Sequence, residues 1–251
     1  MSEELSADGF LRTAISTMEE VAASQSLQVA AAADLIVAAL RAGGGVQAFG
    51  SGHSEAFAME VAGRAGGLVP TNRIALRDLV LFGGEPPSVL GPMLERDPSV
   101  AHRLYALAPV RPADIFVFAS NSGVNGSIVE FATLVKERGH GLIAVTSLAH
   151  SAGVDSRHPS GRKLADIADV VLDNGAPYGD ATLPLPTGGA VGAISSITAA
   201  LLAQQMAVEV VRRMLDAGEA PPVYLSANIP GGDEHNHALE ARYEGRLRRG
   251  A

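Results

Sequence analysis

The chain has 251 residues, with 19 Lys+Arg against 27 Asp+Glu, a formal net charge of −8, no cysteine and no tryptophan. Zero cysteine excludes a disulfide scaffold, Cys-ligated zinc, iron–sulfur clusters and thiol catalysis. The acidic balance argues against nucleic-acid or anionic-membrane partners, both of which need a basic surface. With 47% hydrophobic residues, the length suits one domain spanning residues 1–251 with a sizeable core. The acidic start, Met1-Ser2-Glu3-Glu4, has no apolar signal-peptide core, so a cytoplasmic location is expected.

Two helices are expected within residues 3–42. Leu11, Ile15, Met18 and Ala22 recur at helical steps, as do Leu27, Ala31, Leu35 and Ala38 after a break near Ser24–Ser26. The sheet core is expected over about 44–215. Val46–Phe49 reads as a strand, Gly50-Ser51-Gly52-His53-Ser54 as a polar glycine loop, and Glu55–Ala65 as a helix. Ile115–Ala119 is a buried strand, Ser120–Asn125 a second small polar loop, and Ile128–Arg138 a helix. Leu142–Val145 and Val170–Leu172 complete four strands. Strands alternating with helices predict an α/β fold with a parallel sheet covered on both faces. Arg73–Pro92 and Leu148–Lys163 read as irregular, and long loops in such domains are commonly functional. Ala190–Val211 is apolar but interrupted by Ser195, Ser196, Gln204, Gln205 and Glu209, so it predicts a core helix rather than a membrane span. Its core face is read as Ile194, Ile197, Leu201, Val208, Val211 and Leu215, with Pro184, Pro186, Gly188 and Gly189 marking its start. Residues 220–251 form a tail with a helix.

The two Ser/Gly loops fall where an open parallel sheet binds ligands, beyond the carboxyl ends of strands. Ser51, Ser54, Ser120 and Ser122 offer hydroxyls, and Asn121 and Asn125 offer amides. With free N–H groups at the helix starts, they make an uncharged phosphate cradle. The competing reading is that these residues only cap their helices. A nucleotide is not indicated: Gly50-x-Gly52 lacks the third glycine of a dinucleotide loop, and a Gly-Lys-Ser/Thr sequence is absent.

Phe49-Gly50-Ser51-Gly52-His53-Ser54, followed by Ala58–Arg64, resembles the first half of a sugar isomerase (SIS) domain; Ala119–Asn125 resembles its Ser-x-Ser-Gly phosphate loop. His158-Pro159-Ser160-Gly161, Asp173–Tyr178 and Asn228–Gly232 are similar to a stand-alone bacterial subgroup. The resemblance implies a three-layer, flavodoxin-like sandwich around a five-stranded parallel sheet. It also implies homodimers or homotetramers with sites at subunit boundaries, and a sugar phosphate as ligand with no cofactor. By likeness to heptose-phosphate isomerases, Ser54, Ser120, Ser122 and Asn125 hold the phosphate, Glu60 is the base and His235 a late acid acting across subunits. The chain is shorter than those isomerases between the first loop and Glu60.

Glu60 lies on an apolar helix and is expected to be buried, as a general base or as the i,i+4 partner of Arg64. His53, seven residues earlier, falls on nearly the same helical face, to act on the ring oxygen or to cap the helix. Asp233-Glu234-His235-Asn236-His237 admits a cross-subunit acid at His235, a His235/His237 metal pair, or a helix start capped by Asp233. His102 and His140 read as solvent-side residues; His150 and His158 lie in the long loop. The implied chemistry is C2-proton abstraction from a sugar 6-phosphate, with hexosamine or N-acetylhexosamine favoured, ending in isomerisation or elimination. The alternative is a phosphosugar sensor without turnover.

Overall fold

The structure, a computed structural model, describes residues 5–248. The chain opens with α1 (Ala7–Ser24) and α2 (Ser26–Arg41), joined at a 63° bend. The Ser6 hydroxyl accepts from the Gly9 amide at 3.0 Å and so caps one of the N–H groups that every helix start leaves open. Then come β1 (Val46–Gly50), a 3₁₀ turn over Gly52–Ser54, α3 (Glu55–Val61), β2 (Thr71–Ile74), α4 (Asp78–Leu81) and α5 (Val100–Leu107). β3 (Ile115–Ala119), α6 (Gly126–Glu137), β4 (Gly141–Thr146), α7 (Leu148–Ala152) and β5 (Val170–Asp173) finish the sheet. A hairpin of β6 (Ala181–Pro184) and β7 (Ala190–Ala193) leads into α8 (Ser195–Asp216), and α9 (Gly232–Glu240) follows.

The five strands are parallel in the order β2-β1-β3-β4-β5. The expected α/β architecture, with helices on both faces of a five-stranded parallel sheet, is what the structure shows. Every residue of β1 and β3 is buried, yet the period of two persists in what each residue meets. Ile115, Val117 and Ala119 pack with α1, α2, α3 and α8, while Phe116 and Phe118 join Phe49 and Phe131 among α4, α5 and α6. The Phe49–Phe118 and Phe118–Phe131 ring centroids lie 5.4 and 4.9 Å apart, in the edge and tilted geometries that aromatic quadrupoles favour.

Several expectations are corrected. β2 lies partly inside the stretch read as irregular; its four residues are too short a signal to read alone. α3 stops at Val61 instead of Ala65, because Ala62 adopts extended backbone (φ −108, ψ 126). Ala190–Ala193 is a strand paired antiparallel with β6, so the Pro/Gly cluster at 184–189 makes a hairpin turn and α8 begins at Ser195. The face of α8 read as core is largely the outer one. Val208 and Leu215 are exposed, and Thr198, Ala199, Leu202, Ala203, Met206, Val210 and Met214 are buried. The same offset affects α1 and α2: Leu11, Ile15 and Leu27 face outward while Ala14, Val21, Val29, Ala32, Ala33, Ile36 and Val37 are buried. Small residues at these buried positions let the helices approach closely. Among the described residues no single helix is long and apolar enough to cross a membrane; α1 and α2 meet that measure only when joined across their bend.

Candidate functional site

Strand order reverses between β1 and β3: the connection from β1 runs to β2 on one side, and that from β3 to β4 on the other. Such a switch point opens a crevice at the carboxyl ends of the strands. Both Ser/Gly loops emerge there, the first after Gly50 and the second after Ala119, residues that are register partners across β1 and β3. Gly50 is required by close approach, since a Cβ there would lie 2.2 Å from the Ser54 carbonyl oxygen.

Residues from both loops wall a small inter-loop cavity of about 10 Å³: His53 and Ser54 from the first, Ser120 and Asn121 from the second. Asn174, after β5, and Ser195 and Ser196, in the first turn of α8, complete its polar lining. The helix-capping reading fails at both loops. Ser54 precedes α3 and Asn125 precedes α6, and neither side chain bonds an amide of its own helix.

The predicted residues do not all share this cavity. Ser51 Oγ donates to Glu95 Oε2 at 3.1 Å. Ser120 Oγ accepts from the Gly123 amide at 3.1 Å, and Asn121 Oδ1 accepts from Asn174 Nδ2 at 3.0 Å. Ser122 and Asn125 line a different, open cleft of about 430 Å³ together with His150, Asp155 and Arg157. Asn125 Oδ1 accepts from Arg157 Nη1 at 3.0 Å.

Glu60 is half-buried, not buried as expected, because the outer side of α3 carries exposed Ala56 and Met59. It pairs with Arg64, as the i,i+4 spacing predicts, and also accepts from Gln204 Nε2 of α8 at 2.6 Å. It lines a third cavity, of about 30 Å³, with Gln204, Thr71 and apolar residues of α2, α3 and α8. His53 does not share that cavity: it sits in the 3₁₀ turn ahead of α3, so the two-turn α-helical spacing does not apply.

His235 lies exposed on α9, its Nε2 3.0 Å from the Val223 carbonyl. The run around it is a helix start, with Gly231 rather than Asp233 at the cap and Asp233 and Glu234 in the first turn. Among the described residues no group of three His, Cys, Asp or Glu is placed to hold a metal. His140, read as solvent-side, is buried between the Tyr105 hydroxyl (3.0 Å) and the Asp114 carbonyl (2.9 Å). His102 and His158 both meet Glu130, at 2.7 and 2.8 Å. Burial alone would raise the Glu130 carboxyl, but the hydrogen bonds and charges of the two imidazoles outweigh it and hold it below the usual range.

Asn174, Ser195, Ser196, Glu95 and Arg157 are residues of this region that sequence reasoning missed. Asn174 stood within a quoted motif, and the Ser195-Ser196 pair was visible as a polar break in an apolar run. Glu95 and Arg157 gave no local signal. Asp180 is also hidden in sequence: at φ 70 it accepts from the Ile194 and Ser195 amides at 3.2 and 2.8 Å and from the Ser195 hydroxyl at 2.8 Å, capping α8 with a carboxylate.

The family model described as SIS domain matches residues 9–147. The UPF0309 protein lmo0025 of Listeria monocytogenes serovar 1/2a is 44% identical over 232 residues, 91% of this chain and 93% of its own. In fold the chain is similar to phosphoheptose isomerase GmhA from Neisseria gonorrhoeae (TM-score 0.54, 22% identity, 82% of this chain and 96% of that one). It is also similar to a phosphoheptose isomerase from Francisella tularensis (TM-score 0.53, 16% identity, 84% of this chain and 100% of that one).

Proposed function

Because the chain belongs to the SIS domain family and groups with the UPF0309 proteins, we propose that it binds a sugar phosphate at the paired loops and acts on it as an isomerase or lyase. The observation that supports this most directly is the placement of two hydroxyl-rich loops on adjacent strands at the switch point, with neither Ser54 nor Asn125 capping its own helix. Ser51, Ser54, Ser120, Asn121, Ser122 and Asn125 are the proposed phosphate-end ligands. Binding energy at that remote end orients the reacting carbon.

Glu60 is the proposed base. It lies on α3, six residues beyond Ser54, and opens into the α3–α8 cavity. Its carboxylate takes the C2 proton while the C2–H bonding pair moves toward the C1 carbonyl, giving an enediolate whose oxyanion needs a donor. His53, in the inter-loop cavity, is the proposed acid at the sugar ring oxygen, and His235 a second acid supplied by a neighbouring copy. Reprotonation at C1 gives the ketose; loss of the C3 substituent gives elimination. An N-acetylated C2 closes the first exit, so a hexosamine 6-phosphate suits isomerisation and an N-acetylhexosamine 6-phosphate suits elimination. The whole chain acts as one domain in this reading, as a homodimer or homotetramer in the cytoplasm.

A thermal-shift panel of hexose, heptose, hexosamine and N-acetylhexosamine phosphates tests the reading, since a ligand that binds only the native state raises the melting temperature. The best binder is then followed by NMR in deuterated solvent. Stabilisation with solvent exchange at C2 is expected. Stabilisation without exchange by any binder marks a sensor, and a panel with no stabilising member overturns the proposal.

A further inference from the structure

Asp180 lies just ahead of β6, across from the start of α8, because the hairpin pairs Ala181 with Ala193. Its backbone is left-handed, with φ 70, a conformation that among non-glycine residues Asp and Asn adopt most readily. From there the carboxylate reaches three donors. Oδ1 takes the Ile194 and Ser195 amides at 3.2 and 2.8 Å, and Oδ2 takes the Ser195 hydroxyl at 2.8 Å. No ion pair among the described residues includes Asp180.

These bonds fix where the Ser195 proton points. A carboxylate can only accept, so the single hydroxyl proton of Ser195 is committed to Asp180. Ser195 therefore shows lone pairs to the inter-loop cavity that it lines. The second loop shows the opposite. Ser120 Oγ accepts from the Gly123 amide at 3.1 Å and Asn121 Oδ1 from Asn174 Nδ2 at 3.0 Å, so Ser120 keeps its O–H and Asn121 its NH₂ group for other partners. The cavity is polarised: donors on the loop side suit ligand oxygens, and an acceptor on the α8 side suits a ligand donor.

Size and charge narrow that donor. At about 10 Å³ the cavity has room for about one water-sized group. A hydroxyl or an ammonium fits, and an acetamido group does not. Of the two, a charged donor makes the stronger hydrogen bond. The Asp180 carboxylate behind Ser195 adds an attraction that a neutral hydroxyl does not feel. The start of α8 offsets about half a unit of that charge and leaves the remainder.

We infer that Asp180 and Ser195 form an acceptor subsite that selects the 2-ammonium group of a hexosamine phosphate over the 2-hydroxyl of the parent hexose and over an N-acetylated C2. Ser195 is the contact residue, and Asp180 is a positioning residue that acts through it. The inference rests on the phosphosugar reading and deepens it. A free amine at C2 leaves the ketose exit open, so isomerisation is the reaction this subsite serves.

The test measures, by calorimetry on the full chain, the affinities for glucosamine 6-phosphate, glucose 6-phosphate and N-acetylglucosamine 6-phosphate. The first is expected to bind at least about tenfold more tightly than either of the others, the lower end of the range for a hydrogen bond to a charged group. Ser195→Ala removes the acceptor but none of the bonds from Asp180 to the two amides, and is expected to abolish the preference. Asp180→Asn keeps a residue suited to the left-handed backbone and an oxygen for those amides. Its NH₂ group donates to Ser195 Oγ and turns the hydroxyl proton into the cavity, so the preference is expected to pass to glucose 6-phosphate. Loss of a helix cap alone would weaken all three probes alike and leave their ratio in place. Ser195→Ala carries the test if Asp180→Asn does not fold. A smaller preference in the native chain, or one that survives in either folded variant, overturns the inference while leaving phosphosugar binding intact. Failure of every sugar phosphate in the earlier panel overturns both.

Discussion

Glu60 is held from two sides, by Arg64 on its own helix and by Gln204 from α8. The Arg64 contact by itself has little energetic weight, since its side chain is 45% exposed and exposed ion pairs contribute about 0–1 kcal/mol. Its consequence is orientation: the carboxylate is fixed toward the α3–α8 cavity rather than left to swing in solvent. Glu60→Gln is therefore expected to leave the melting temperature and sugar-phosphate affinity nearly unchanged and to cut C2-proton exchange by at least about a hundredfold, the usual scale of a lost general base. Solvent-exchange NMR on the variant reads this directly; exchange at the wild-type rate removes Glu60 from the mechanism. The Arg64 pairing was legible from sequence, through the i,i+4 spacing. The half-exposure of Glu60 and its Gln204 partner were not, because 144 residues separate the two.

At the scale of elements, the loop between α7 and β5 is tied to α6 by the Glu130 carboxylate, which takes His102 on one oxygen and His158 on the other. The Glu130 carboxyl is held below the ordinary glutamate value of 4.5 in the folded chain. A depressed acid stabilises the fold above its unfolded pKa and loses that contribution as pH falls through the folded one. Acidification below 4.5 is thus expected to release residues 156–163, seen as faster amide exchange at His158 and Arg162. Glu130→Gln should remove that acid dependence and cost about 1–2 kcal/mol at neutral pH in urea unfolding. An acid limb of the same steepness in the variant refutes the assignment. The sequence marked His158-Pro159-Ser160-Gly161 as unusual but gave no sign that its anchor lay 28 residues earlier, on α6.

For the whole molecule, the layer formed by α1, α2 and α8 keeps large apolar side chains in water. Leu27 is 80% exposed, Val208 65%, Leu215 58% and Leu11 56%. Scattered exposed apolar residues are ordinary, but several gathered on one layer are the mark of an interface. The proposed occupant is a second copy of the chain, which fits a reaction reading in which His235 acts across a boundary. Light scattering is expected to give a multiple of 25.8 kDa for the native chain, and Val208→Glu is expected to shift the mass toward the monomer. A native mass of one chain refutes the assembly.

What the chain's own order of residues determined is the set of local structures: buried strands from unbroken apolar runs, polar loops at their ends, and helices from three- and four-residue recurrence. These follow from backbone and side-chain preferences that act over one or two turns, and they were enough to place Ser51, Ser54, Ser120, Asn121, Ser122 and Asn125 beyond neighbouring strands. Tertiary structure alone decided which helix face is inside and which loop residues share a space. Alanine-rich helices such as α2 and α8 carry apolar side chains on two faces, and only close packing against the sheet chooses the one lined with small residues. Only folding, likewise, could bring Arg157 to Asn125 and Asp180 to the start of α8, because no local pattern encodes a contact between distant segments.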